Sequence, residues 1–206
     1  METQKGRLFD TKMKIVGLTG GIGSGKSAVL AVFSSLGIPC FQSDIRAKKL
    51  MQEDPELIRK IKSLFGDDIY LGEKLDRNKL ADLVFDDKAK LNSLMEIVHP
   101  RVKRDFEFFL TKQNAEYVIK EAAILFETGG EKDCDVTLLI TAPKKLRIQR
   151  VIKRDNINSE QIKSRMSHQW TDEKKLPLAD YVINNIDWDK TLKRIEEIHK
   201  KLIDLK

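Results

Sequence analysis

Gly20-Gly21-Ile22-Gly23-Ser24-Gly25-Lys26-Ser27 spell G-x-x-x-x-G-K-S, residue types and spacing suited to holding a polyphosphate. Glycines admit a tight loop whose backbone N–H groups turn inward on an anion, and a helix starting at its end adds a positive dipole end. Lys26 would reach the β- and γ-phosphates, and the Ser27 hydroxyl would ligate Mg²⁺. The motif has this meaning only between a strand and a helix. Ile15-Val16-Gly17-Leu18 ahead of it suits a buried parallel strand, and Ala28-Val29-Leu30-Ala31-Val32-Phe33 behind it suits a first helical stretch. The alternative is a glycine-rich turn that happens to precede Lys-Ser. With the context met, the expected ligand is a nucleoside triphosphate.

Phosphoryl transfer needs positioning, Mg²⁺, cations around the moving group and an acceptor whose proton can leave. Asp44, just after a second apolar run, is the candidate base; its alternative role is to cap a helix starting at Ile45. Arg150 and Arg154 are four residues apart and share a helix face, so they could clamp phosphates. For Arg154, pairing with Asp155 or plain solvation competes with that role. Glu121 could hold a metal-bound water, with simple solvation beside Lys120 as the alternative. His99, followed by Pro100, is a candidate contact for the acceptor or a structural histidine.

These residues need elements to carry them. Ile38–Phe41 reads as a second strand. Tyr117-Val118-Ile119 reads as a third, running towards Ala122–Phe126, Val136–Ile140 as a fourth and Tyr181–Ile183 as a fifth. Between strands two and three, apolar residues recur at three- and four-residue spacing from Ala47 to about Lys112, punctuated by Pro55, Gly66, Gly72 and Pro100. Pro143 opens a further helix, Ser159 caps another, and Leu192–Leu205 closes the chain as an amphipathic helix. Strands alternating with helices predict an α/β, P-loop NTPase-type doubly wound parallel sheet with a helical substrate-binding insert and a helical lid. In such sheets ligands bind at the carboxyl ends of the strands, where the P-loop and Asp44 fall. The expected partition is a disordered leader over 1–12, a core over 13–49, 116–145 and 180–206, an insert over 50–115 and a lid over 146–179.

The 206 residues suffice for one domain with inserts. No apolar run approaches the roughly 18 residues of a membrane span, and the polar N-terminus is no signal peptide. Cys40 and Cys134 have no metal-binding spacing, which points to a reducing cytoplasm. A net charge of +6 suggests an anionic partner. The basic excess lies between Lys144 and Lys175, in a stretch including Arg147, Arg150, Arg154, Arg165 and Lys174. Most of it is expected as a solvated helix face, with a nucleotide the simplest anion it would gather. No nucleic-acid-binding signature accompanies it.

The chain resembles the dephospho-CoA kinase family from about Lys14 to Asn185. The resemblance rests on Val16–Ser27 with its double glycine, Ser43-Asp44, His99-Pro100 and Ile124-Leu125-Phe126-Glu127. It rests further on Arg150-Val151-Ile152-Lys153-Arg154-Asp155, Gln169, and Leu178-Ala179-Asp180-Tyr181-Val182-Ile183-Asn184-Asn185. It implies transfer of the ATP γ-phosphate to the ribose 3′-hydroxyl of dephospho-CoA, the last step of coenzyme A synthesis, with ATP and Mg²⁺ as cofactors. It places Asp44 as base, with Lys26 and Arg150 as its catalytic companions. ATP would lie on Gly20, Gly21, Ile22, Gly23, Ser24, Gly25, Lys26, Ser27 and Ala28 with Arg150, Arg154 and Asn185. The acceptor would meet Asp44, Lys48 and His99, and the helical insert would bind the CoA moiety. A cytoplasmic monomer or small homo-oligomer, with no nucleic-acid or membrane partner, is expected.

Four positions depart from the family's common pattern. Gln42 stands where an acid is usual, Lys48 where an arginine is usual, Ala123 where proline is common, and Glu121 brings an acid into a strand often wholly apolar. A kinase of another small acceptor, such as a nucleoside monophosphate, is the nearest rival reading. A switch GTPase lacks its motifs, since Asn78-Lys79 is followed by Leu80-Ala81 and no D-x-x-G occurs. An ATP-dependent nucleic-acid-binding module would predict strongly salt-dependent binding.

Overall fold

A computed structural model describes residues 13–85, 87–155 and 158–204; the leader expected over 1–12 lies outside them. The chain divides into two compact units, Phe41–Gln113 and the remainder on either side of it. The helical unit thus takes in Phe41–Lys49, which the sequence grouped with the core, and the segment 146–179 belongs to the first unit.

The first unit is built on a parallel sheet. Its strands are β1 (Lys14–Thr19), β2 (Cys40–Gln42, where the chain passes into the second unit), β5 (Tyr117–Glu121), β6 (Val136–Thr141) and β7 (Tyr181–Asn184). Their order is β2-β5-β1-β6-β7, and β1 pairs in parallel with β5 on one side and β6 on the other. The carboxyl end of β1 is therefore the switch point at which a doubly wound sheet binds its ligand. β1 is buried along nearly its whole length, which is why it reads as an unbroken apolar run rather than an alternating one.

Two helices that pack against each other complete this core. α1 (Lys26–Ser35) buries Val29, Leu30 and Phe33. α9 (Trp188–Asp204) buries Thr191, Ile195, Ile198 and Leu202, a four-three-four spacing that puts one stripe inward. Val16, Leu18, Ile119, Leu138, Ile140 and Ile183 join them in one cluster. Three further helices, α6 (Lys144–Asp155), α7 (Ser159–Ser167) and the short α8 (Asp172–Lys175), follow β6.

β5 stops at Glu121, short of the predicted Phe126. The segment from Ala123 to Gly129 is a series of turns with Leu125 and Phe126 buried at 1% and 3% exposure. Apolar side chains seat these turns in the core without a ladder, and composition alone does not separate the two states.

The second unit comprises α2 (Ser43–Glu53), α3 (Pro55–Phe65), a hairpin β3–β4 (Tyr70–Leu71 and Lys74–Leu75), α4 (Arg77–Phe85) and α5 (Lys88–Leu110). The hairpin falls inside the stretch read as helical throughout; it turns at Gly72, whose φ is +63°. Pro100 lies inside α5 without ending it. Leu57, Ile61, Ile69, Tyr70, Leu75, Leu80, Leu94 and Val98 make the unit's core. Asp54 caps α3, accepting from the Glu56 and Leu57 N–H groups at 3.0 Å each. Arg101 of α5 donates to Asp54 and to Glu56. Arg46 of α2 grips Asp105 of α5 with Nε and Nη2, both at 2.5 Å.

Candidate active site

β1 ends at Thr19 and α1 begins at Lys26, so Gly20–Gly25 form the loop between them. Gly25 is the N-cap of α1 with φ +96°, and a Cβ there would lie 2.0 Å from Asn185 Nδ2. Only glycine meets both conditions. The loop is tightened by the Ser24 N–H donating to the Gly21 carbonyl at 3.0 Å. Lys26 Nζ crosses it and donates to the Gly20 carbonyl at 2.8 Å, which brings the ammonium to the β1 side. Ser27 and Ala28 are exposed in the first turn of α1, where the helix dipole favours negative charge.

Two groups brace the loop. Asn185, directly after β7 and only 4% exposed, donates from Nδ2 to the Ser24 carbonyl at 2.9 Å. Its Oδ1 accepts from the Thr191 hydroxyl at 3.3 Å. Both ends of this amide are thus bound to protein, so Asn185 holds the loop's shape. Earlier in the loop, Ile22 is met by side chains from the segment after β6. Its N–H donates to Gln169 Oε1 at 2.8 Å, and its carbonyl accepts from Arg147 Nε at 2.9 Å.

Arg150 lies one turn beyond Arg147 on α6. Its Nη1 is buried and has no hydrogen-bond partner among the described residues, and it lies 3.9 Å from the point a Cβ on Gly25 would occupy. Arg154, by contrast, is exposed and forks onto Asp155, with Nε–Oδ1 at 2.6 Å and Nη2–Oδ2 at 2.9 Å. The structure therefore gathers the loop, Lys26, Arg150 and Asn185, and gives Arg154 the pairing that the sequence left as its alternative.

Asp44, Lys48 and His99 belong to the second unit. α2 starts at Ser43 with Gln42 at its N-cap, so Asp44 is inside the first turn rather than at the capping position. Asp44 and Lys48 are both exposed and, being four apart, lie on one face of α2. His99 is exposed on α5. Glu121 is buried at the end of β5, at 8% exposure.

Ser27 is the residue suited to Mg²⁺. Among the described residues no cluster of three His, Cys, Asp or Glu forms a protein cage for a metal ion. One hydroxyl beside a phosphate loop suits an ion that draws most of its shell from phosphate oxygens and water, as Mg²⁺ does.

The site has relatives. A family model described as dephospho-CoA kinase matches residues 14–189. This chain belongs to the dephospho-CoA kinase family. The family match spans the P-loop, Asp44, His99, Arg150 and Asn185 alike. A dephospho-CoA kinase of Chlorobaculum tepidum is 37% identical over 198 residues, covering 92% of this chain and 95% of its own. One of Chlorobium luteolum is 39% identical over 181 residues, with 83% and 82% covered. A Thermus thermophilus crystal structure superposes with a TM-score of 0.85 at 34% identity, covering 94% of this chain and 98% of that one. The fold is also that of a dephospho-CoA kinase from Campylobacter jejuni, with a TM-score of 0.60 at 24% identity over 93% and 98% of the two chains.

Sequence reasoning passed over Arg147, Asp172, Glu127 and Lys175 as individual residues. The sequence places Arg147 in a basic stretch expected to be solvated, yet it is 9% exposed, and Lys175 is fully buried. The available signal for Arg147 was its three-residue spacing from Arg150. For Lys175 there was none, because its partner is distant in sequence.

Proposed function

We propose that the chain transfers the γ-phosphate of ATP to the ribose 3′-hydroxyl of dephospho-CoA, giving CoA and ADP, the last step of coenzyme A biosynthesis. The observation that carries this is a P-loop braced at Ser24 and Ile22, with a buried Arg150 nitrogen beside it that has no hydrogen-bond partner among the described residues, in a chain of this family. Loop N–H groups and Lys26 hold the β- and γ-phosphates, and Arg150 answers the charge that builds up in transfer. Ser27 would hold Mg²⁺, which neutralises phosphate charge when bound. The acceptor oxygen bonds to the γ-phosphorus as the bond to the bridging oxygen breaks; Asp44 takes the hydroxyl proton and ADP leaves. Lys48 and His99 supply acceptor contacts in this scheme. Arg154 is the remaining nucleotide contact and would have to leave Asp155 to serve.

A cytoplasmic monomer or small homo-oligomer is the accompanying reading. The compartment is supported by Cys40 and Cys134 both being free rather than disulfide-bonded, as suits a reducing environment. Among the described residues no helix is long and apolar enough to cross a membrane.

The test is ADP release with ATP and Mg²⁺, comparing dephospho-CoA with AMP, CMP and adenosine. Turnover confined to dephospho-CoA, with CoA as product, is expected. Turnover confined to a nucleotide would overturn the acceptor assignment while leaving the loop chemistry in place.

A further inference from the structure

We propose that Arg147 is a positioning residue: it registers α6 on the P-loop and thereby holds Arg150 at Gly25, so that nucleotide affinity depends on Arg147 through Arg150. The proposal rests on the kinase reading for the role of Arg150.

Three contacts fix Arg147. The first is through its backbone. Gly23 has φ +79°, and a Cβ there would stand 2.4 Å from the Arg147 carbonyl oxygen, so the loop lies directly on the α6 main chain. The second is Nε donating to the Ile22 carbonyl at 2.9 Å. The third is Nη1 donating to Asp172 Oδ1 of α8 at 3.1 Å, in a pair whose side chains are only 10% and 17% exposed. Gln169 holds the other side of Ile22. The loop tip is thus clasped between α6 and the segment leading into α8.

The consequence falls one turn along α6. A buried guanidinium N–H without an acceptor costs roughly 1–3 kcal/mol, which a side chain with freedom to move would avoid by turning to water. Arg150 Nη1 is buried without a partner among the described residues. The fixed path of α6 keeps it there, presenting an unsatisfied donor to a loop built for anions. Arg147 itself has two of its three nitrogens bonded to Ile22 and Asp172, which sets it apart from Arg150 as a phosphate ligand.

A double-mutant cycle on the full chain separates acting through Arg150 from acting directly. The readout is the Kd of a non-hydrolysable ATP analogue with Mg²⁺ by calorimetry, with the KM for dephospho-CoA at saturating ATP as control. Arg147→Met is expected to weaken nucleotide binding about tenfold in the wild-type background but less than about threefold in an Arg150→Ala background. The acceptor KM is expected to stay within about twofold, since Arg147 contacts the nucleotide loop and α8, whereas the proposed acceptor residues belong to the second unit. Equal losses in both backgrounds would overturn the proposal in favour of an effect on the loop or the nucleotide that does not pass through Arg150. A lowered thermal midpoint with wild-type Kd in the folded protein would overturn it in favour of a purely structural role. Should Arg147→Met not fold, Asp172→Asn carries the same cycle, with about a threefold loss expected, again confined to the Arg150 background. Should the wild type bind the analogue yet fail to phosphorylate dephospho-CoA, the acceptor assignment falls while the cycle still decides the role of Arg147.

Discussion

Lys175 Nζ lies 2.8 Å from Glu127 Oε1, with the lysine side chain fully buried and the carboxylate side chain 11% exposed. The same Oε1 accepts the Trp170 N–H at 2.8 Å. The lysine contact is an ion pair rather than a well-directed hydrogen bond, and Glu127 Oε2 has no hydrogen-bond partner among the described residues. This pair ties α8 to the turns after β5, on the segment that also carries Gln169 and Asp172. Breaking one partner of a buried pair leaves an uncompensated charge, whereas replacing both does not. Lys175→Met is therefore expected to cost about 3 kcal/mol. Glu127→Gln with Lys175→Met should recover most of it, because glutamine still accepts from Trp170. Urea midpoints of the two variants decide this, and a double variant no better than the single would refute it.

The second unit has its own electrostatic fastening at Asp54. Burial pushes its carboxyl up, but the Leu57 N–H and the Arg101 guanidinium outweigh that and hold it below the usual range. A carboxylate with a depressed folded pKa contributes stability above its unfolded pKa, about 3.9, and loses it as pH falls through the folded value. Asp54→Asn keeps the cap, since asparagine caps as well as aspartate, but loses the ion pair. The wild type should be the more stable at pH 7, and the difference should shrink on acidification below about pH 4. Thermal midpoints of both proteins at pH 7, 5 and 3 check the sign; a difference growing on acidification would contradict it.

Asn185 is a test of loop bracing as distinct from ligand contact. Asn185→Ala leaves the Ser24 carbonyl without its donor and the Thr191 hydroxyl without one of its acceptors. A loss of about 1–2 kcal/mol in stability is expected, with a KM for ATP raised several-fold and an unchanged KM for dephospho-CoA. Steady-state kinetics with each substrate varied in turn supply the measurement.

Two substitutions address the chemistry itself. Lys26→Ala should lower kcat by at least about 10²-fold by removing the cation at the transferring phosphate. Asp44→Asn keeps size and polarity but cannot take the proton, so kcat should fall by about 10²–10⁴-fold with ATP binding retained. Wild-type kcat in a folded Asp44→Asn protein would remove Asp44 from the base role.

What the sequence determined by itself was whatever depends on neighbours along the chain. The Gly20–Ser27 loop, the buried parallel strands and the inward stripe of α9 follow from local periodicity and from glycines at fixed offsets, and all are present. Local patterns also set a limit. Leu125 and Phe126 look like strand because apolar residues are buried in turns as well as in ladders, and the β3–β4 hairpin was hidden among helical spacings because its strands are two residues each. Only the tertiary structure decided how the basic stretch is used. Arg147 turns to Ile22, Lys175 goes inward to Glu127, Arg150 is left with a donor unspent, and Arg154 takes Asp155. Arg147 and Lys175 are not set apart in sequence from the rest of the basic stretch. For Arg147 and Lys175 the roles differ because the cost of burying a charge depends on which distant carboxylate or carbonyl the fold brings to it, whereas Arg154 stays exposed and takes its sequence neighbour.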